Sequence, residues 1–212
     1  TQDILTPDSF YVGLRDLEQW AKQTKQPMDR AILHSLIAEF YANYAADNQW
    51  QLRQRTEIVG ETPSADIREW TANMFVEKVR TNVKEALADS LLLLKTSSRN
   101  YIPFVELGET SEYYHHDMYH LLASRAIRAL NQIERLERGS FNGITASPVK
   151  QDIINIYERM TDAYETAGLK EGYVLTMLQY LEWKRDNDNK LQPVQLKKGL
   201  GEWTADTYNA AL

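Results

Sequence analysis

Apolar residues recur along this chain at helical spacing, and the recurrence breaks often enough to divide it into separate rods. Phe10, Leu14, Leu17 and Ala21 share one face behind Thr6-Pro7-Asp8, which supplies an N-cap, a proline at the first helical position and an early acid. A helix is predicted there to about residue 24. Pro27 and Asp29 open a second, where Leu33, Leu36, Ile37, Phe40, Tyr41 and Tyr44 repeat at i, i+3, i+4 and i+7. After a loop from Gly60 to Pro63, Ser64 is read as the cap of a long third helix. Its inner positions are Ile67, Ala72, Phe75, Val76, Val79, Val83, Ala86 and Leu87, and Lys78, Arg80, Lys84 and Glu85 form its wet face.

From Leu91 to Thr110 the pattern changes: a leucine run, a polar stretch, then Tyr101-Ile102-Pro103-Phe104-Val105, where Pro103 biases Ile102 toward extended geometry. An extended arm lying across the helices is predicted. A fourth helix follows over about 111–138, with Met118, Leu122, Ala126, Ala129, Leu130, Ile133 and Leu136 inward and Gly139 as its C′ residue. Ser147-Pro148 opens a fifth that Gly168 stops, and Val174, Leu175, Met177, Leu178 and Leu181 resume so soon that helices five and six must form an antiparallel hairpin. The small and aromatic residues of that hairpin (Tyr157, Tyr164, Gly168, Tyr173) give it the look of a degenerate tetratricopeptide-type unit. The fold expected is all-α, a solenoid-like stack of antiparallel hairpins with about six to seven helices and one arm. It forms a single domain over 1–212 that divides, if anywhere, into 1–110 and 111–212.

Composition agrees and narrows the partners. Nine Gly and six Pro in 212 residues are too few for a many-stranded sandwich or barrel, and 43% hydrophobic with 25% charged residues excludes wholesale disorder. The net charge of -6 gives no basic field for nucleic acid. The absence of cysteine removes disulfides, thiolate metal sites and thiol nucleophiles together. Leu91-Leu92-Leu93-Leu94 is the longest apolar run, far short of the ~18 residues of a spanning helix, so a soluble segment is expected. Thr1 at the start, and an apolar run through Trp203, Thr207, Tyr208, Ala211 and Leu212 at the end, read as cut ends of a longer chain.

Candidate chemistry concentrates in Tyr113-Tyr114-His115-His116-Asp117-Met118-Tyr119-His120, which holds three of the four histidines. On a continuous helix His116 and His120 share a face, and His116-Asp117-x-x-His120 approximates the zincin pattern, so a metal-dependent hydrolase is one alternative. Two features oppose it. Asp117 is one methylene shorter than the glutamate that activates a metal-bound water, and no third ligand follows at zincin spacing, where Gly139 and Ser140 stand. Glu112 is no substitute, being about 12 Å from His120 along a helix axis. The expectation is therefore no metal, no cofactor and no catalysis.

Asp186-Asn187-Asp188-Asn189 begins like a calcium loop but has Leu191 for the sixth-position glycine and Lys197 for the closing glutamate, so it reads as a polar turn. His34 reads as a boundary histidine with a satisfied hydrogen bond. The remaining alternative is a glycan- or peptide-binding helical module, because Trp50 and Trp203 lie in weakly patterned regions. An interaction surface is expected from Trp50, Tyr113, Tyr114, His115, His116, Tyr119, His120 and Trp203.

Several whole segments carry a family likeness: Leu5-Thr6-Pro7-Asp8-Ser9-Phe10-Tyr11, the stretch Asp29-Arg30-Ala31-Ile32-Leu33-His34-Ser35-Leu36-Ile37-Ala38-Glu39, Arg53-Gln54-Arg55-Thr56, and FVELGETSEYYHHDMYHLL over 104–122. In these the chain resembles the N-terminal helical region of large bacterial alpha-2-macroglobulin-like proteins. The resemblance implies a parent that is periplasmic or anchored to a membrane by lipid and that traps proteases through β-sandwich domains, a bait region and, in some members, a Cys-x-x-Gln thioester. It implies a non-catalytic scaffold here, whose partners are the other domains of the same polypeptide, and also proteins or peptides. No family residue role transfers to these positions.

Overall fold

A computed structural model of the chain describes residues 7–55, 64, 66–102, 105–137 and 147–187. These residues form eight α-helices: α1 (Pro7–Gln23), α2 (Pro27–Asp47), α3 (Gln49–Gln54), α4 (Ala72–Ala86), α5 (Ser90–Lys95), α6 (Met118–Glu134), α7 (Pro148–Thr166) and α8 (Lys170–Asn187). Three 3-10 turns, Ile67–Glu69, Ser98–Tyr101 and Glu109–Tyr114, join them. The described residues contain no strand beyond an isolated antiparallel bridge between Ser97 and Asp117. The protein is all-α, as predicted, and the six predicted helices correspond to the six long ones.

The centre of the stack is α2, which packs on α1, α4 and α6; α6 then packs on α7, and α7 on α8. What lets three neighbours approach α2 is its small residues. Ala31, Ser35, Ala38, Ala42 and Ala45 are buried together with Met28, Ile37 and Tyr41. Leu33 and Leu36, expected to lead the inner face, are only half-buried, and Phe40 lies at the surface. A helix enclosed on several sides needs small side chains more than a single wide apolar stripe.

Polar links reinforce the long-range contacts. Arg125 of α6 pairs with Glu39 of α2, Gln132 donates to Asn43 at 3.0 Å, and Arg53 donates to the Arg135 carbonyl at 2.9 Å. Arg80 of α4 reaches Asp152 of α7 at 2.5 Å. Glu18 of α1 takes both the Tyr41 hydroxyl at 2.9 Å and the Lys78 ammonium at 2.6 Å. Beside this polar seam lies an aromatic cluster in which Trp70 stacks on Tyr41 at 5.3 Å and both rings meet Phe75.

Three boundaries differ from expectation, each for a local reason. The third predicted helix begins at Ala72, not Ser64. The Ser64 hydroxyl is used by the Asp66 amide, Asp66 caps the turn at 67–69 instead, and the Trp70 indole donates to the Ser64 carbonyl at 2.7 Å, holding the chain extended before α4. The predicted arm is mostly wound up: Asp89 caps α5 and Ser97 caps the turn Ser98–Tyr101. The fourth predicted helix begins at Met118, for reasons taken up below. The loop 60–63, Pro103 and Phe104, Gly139 with its loop, and everything from Asp188 on, including Trp203, lie outside the described residues. No helix among the described residues is long and apolar enough to cross a membrane.

The α7–α8 junction follows the expected chemistry. Gly168 adopts φ +70, the left-handed conformation glycine tolerates best, and the Leu169 amide returns to the Tyr164 carbonyl at 2.9 Å. Gly172, in the first turn of α8, lets that helix close on two aromatic rings: a Cβ there would stand 3.1 Å from Tyr164 and 3.4 Å from Tyr114. Both tyrosines are fully buried and cannot swing away. Gly172→Ala should therefore lower stability by about 1–2 kcal/mol in urea denaturation despite its better helix propensity. Gly13→Ala, where nothing lies within 4 Å, should raise it by about 0.5–1 kcal/mol.

Candidate functional site

The histidine cluster is not a helix. Glu109–Tyr114 forms a 3-10 turn, after which His115 (φ 53, ψ 26) and His116 (φ 53) both take left-handed conformations before α6 begins. Histidine tolerates this region better than most non-glycine residues, though two in a row need external support. Ser98 provides much of it: its amide donates to the His116 carbonyl at 2.5 Å and its hydroxyl to the same oxygen at 2.7 Å. The Asp117 amide bonds to the Tyr114 carbonyl at 3.0 Å, and the Met118 amide to the Thr96 carbonyl at 2.9 Å.

Asp117 is the N-cap of α6. Its Oδ1 accepts the His120 amide at 2.7 Å, the short side chain and non-helical backbone of a capping residue. Both carboxylate oxygens also lie 3.1 Å from the Tyr164 hydroxyl of α7, which donates to them. The side chain is 4% exposed. Burial pushes its pKa up to about 6, against the lowering effect of those same hydrogen bonds.

The two imidazoles of the zincin-like pattern serve different purposes. His116 Nε2 lies 2.5 Å from the Arg99 guanidinium. Because a guanidinium can only donate, Nε2 accepts, and the proton of the neutral ring sits on Nδ1, a buried atom without a hydrogen-bond partner. His120 lies flat on the Tyr114 ring, 3.6 Å away and 3° from parallel, and burial lowers its pKa to about 4. His116 stands before α6 and His120 within it, so the one-face helical geometry expected for a metal pair is absent. Among the described residues no three His, Asp or Glu side chains gather to hold a metal ion. A cavity of about 110 Å³ lies beside His116, Asp117 and His120, with Ser98, Ser111 and Ser124 also in its walls.

The expected interaction surface is split. His115 and Tyr113 are exposed, and Trp50 of α3 is 73% exposed, but Tyr114 and Tyr119 are buried in the core and present nothing outward. His34 bonds through Nδ1 to Asn82 Oδ1 at 2.8 Å, the boundary histidine expected. Asp186 and Asn187, read as the start of a polar turn, belong instead to the last turn of α8, where Arg185 pairs with Asp186 and Asn187 donates to the Trp183 carbonyl; the rest of that stretch lies outside the described residues. Sequence reasoning missed Arg99 and read Tyr164 only as an aromatic residue of the α7–α8 hairpin; their contacts with the turn, to His116 and Asp117, are made by tertiary packing that the local pattern does not show.

Comparison with protein-family models, with curated proteins and with solved structures returns no match.

The paired burial of Asp117 and His120 makes a signed prediction. Asp117 has a folded pKa above its unfolded value, so its contribution is full below about pH 4 and is lost as pH rises through 6. His120 has a folded pKa below its unfolded value, so its contribution is full above about pH 6.5 and is lost as pH falls toward 4. Between pH 4 and 6 the native state holds one proton more on the first and one fewer on the second, and the two slopes cancel. Asp117→Asn should therefore lose stability relative to wild type by up to about 1.4 kcal/mol per pH unit on acidification from 6 to 4. His120→Phe, which keeps the stack on Tyr114, should gain at a similar rate. Urea melts at four pH values across this range would show the opposite slopes.

Proposed function

We propose that this chain is a non-catalytic helical interaction and scaffold region of a larger, exported alpha-2-macroglobulin-like protein, positioned in the periplasm or at the outer membrane and working against the other domains of its own polypeptide. The observation that favours this over hydrolysis is the role of Asp117. The residue standing where a general base would be caps α6 and receives the Tyr164 hydroxyl, so its oxygens face structural donors. His116 is likewise engaged by Arg99, and His120 is pressed against Tyr114. Asp117 and one nitrogen of His116 are thus engaged in holding the turn and the start of α6. The family likeness of the sequence adds the parent and its compartment to this reading, and the all-helical stack is the kind of architecture such a region requires.

Two measurements test it. Crosslinking and mass spectrometry of the full-length polypeptide should join lysines of this segment to its β domains, and an absence of such crosslinks would count against the scaffold role. Equilibrium dialysis of the purified chain against zinc should give no stoichiometric binding. One equivalent of zinc, lost together with a hydrolytic activity in His116→Ala, would replace this reading with the metallohydrolase.

A further inference from the structure

The last helix of the stack, α8, carries apolar residues on two opposite sides. Gly172, Thr176, Tyr180 and Trp183 are buried, and Tyr180 stacks on Tyr157 of α7 at 5.1 Å. At about 100° per residue, Val174, Leu178 and Leu181 fall roughly 180° away from that face. They repeat at i, i+4 and i+7, the stripe by which a helix meets a partner. None of the three belongs to the core cluster, and yet all are half-buried. Outward apolar side chains elsewhere stay in water: Leu91 is 65% exposed, Trp20 56% and Trp50 73%.

Within the described residues α8 packs on α7 and on the turn Glu109–Tyr114, and both approach it from the buried side, where Gly172 faces the rings of Tyr164 and Tyr114. A helix apolar all round requires cover on its other side as well. The order of the stack says which chain can supply it. The first helix stands at the opposite end, with α2, α6 and α7 between. The residues directly after α8 are within reach: the twelve of 188–199 can extend to about 40 Å, whereas Val174 lies about 20 Å along the axis from Asn187. After them Trp203, Thr207, Tyr208, Ala211 and Leu212 share one half of a helical projection, and Glu202, Asp206 and Asn209 fall on the other half. Tethered by so short a spacer, this run meets the stripe at an effective concentration on the order of millimolar, far above that of a second copy in dilute solution.

We propose that the run 203–212 folds back as an amphipathic helix over Val174, Leu178 and Leu181, so that the chain carries its own cap on the α7–α8 hairpin. Stacked helical units need such a terminal cover, with an apolar inner and a polar outer face, because the last unit has no further neighbour to bury its outer stripe. An outside partner that pairs with α8 must then displace the run before it can bind. The inference stands apart from the parent assignment, since both surfaces belong to this chain.

Because the whole chain has no cysteine, introduced thiols report alone. Leu178→Cys in the full chain should react with iodoacetamide at least tenfold more slowly than Leu91→Cys, the outward control. Adding Trp203→Asp to Leu178→Cys should raise its rate at least fivefold while the cooperative urea transition is kept. A second measurement leaves Trp203 in place. Under mild oxidation, Leu178→Cys should close an intrachain disulfide with at least one of Thr207→Cys and Ala211→Cys, which needs the two Cα atoms within about 7 Å, and Leu91→Cys should close one with neither. Equal labelling at 178 and 91, indifference to Trp203→Asp, or disulfides no faster from 178 than from 91 would each overturn the proposal. So would protection lost on dilution alongside a dimer in sedimentation, because a second copy would then be the cover. Missing interdomain crosslinks beside a protected Leu178→Cys thiol would refute the parent assignment and leave the cap standing.

Discussion

A buried carboxylate needs donors, and the donors found by Asp117 come from two different helices. One is the amide of the first turn of α6; the other is the Tyr164 hydroxyl near the end of α7. The side chain that starts one rod thus fixes its position against the next, and the left-handed turn before it is held from outside by Ser98. Burial of the Tyr164 ring and hydroxyl beside this charge drives its phenol pKa strongly upward, so the hydroxyl keeps its proton and remains a donor at any ordinary pH. The arrangement gives several members of the cluster a structural contact: Asp117 caps α6 and accepts the Tyr164 hydroxyl, and His120 stacks on the buried Tyr114.

Six long helices were legible in the sequence because helical periodicity survives wherever one face is buried and one is wet, as in α4, α6 and α7. Proline and serine at the starts of α2 and α7, and Gly168 at the α7–α8 turn, marked boundaries through chemistry that is local to each position. The boundaries that went astray are those decided at a distance. Ser64 has the composition of a helix cap, yet the indole of Trp70 stacking on Tyr41 takes the chain elsewhere. Residues 111–117 carry no proline or glycine to stop a helix, and the interruption comes from Ser98 and Thr96, which bind the His116 carbonyl and the Met118 amide across a sequence gap that periodicity does not see.

The candidate site was legible as a cluster and misread as a geometry. Three histidines within six residues stand out in any sequence, but the inference that His116 and His120 share a face required a continuous helix. The alanines of α2 carry a related lesson. Leucine and phenylalanine spacing identified the helix, while Ala38, Ala42 and Ala45 determine how closely its neighbours approach, and alanine leaves little trace in a hydropathy pattern.

The links from α2 and α3 to α6 and the residue that follows it have a bearing on how the chain reaches this arrangement. Glu39 to Arg125, Asn43 to Gln132 and Arg53 to Arg135 join partners 86, 89 and 82 residues apart, whereas α1–α2 and α7–α8 meet across short turns. Ring closure over such a span costs about 1.2 kcal/mol more entropy than one a quarter as long. By chain length alone the end hairpins are the contacts cheapest to close and the α2–α6 contacts the most costly, which raises the contact order of the whole fold.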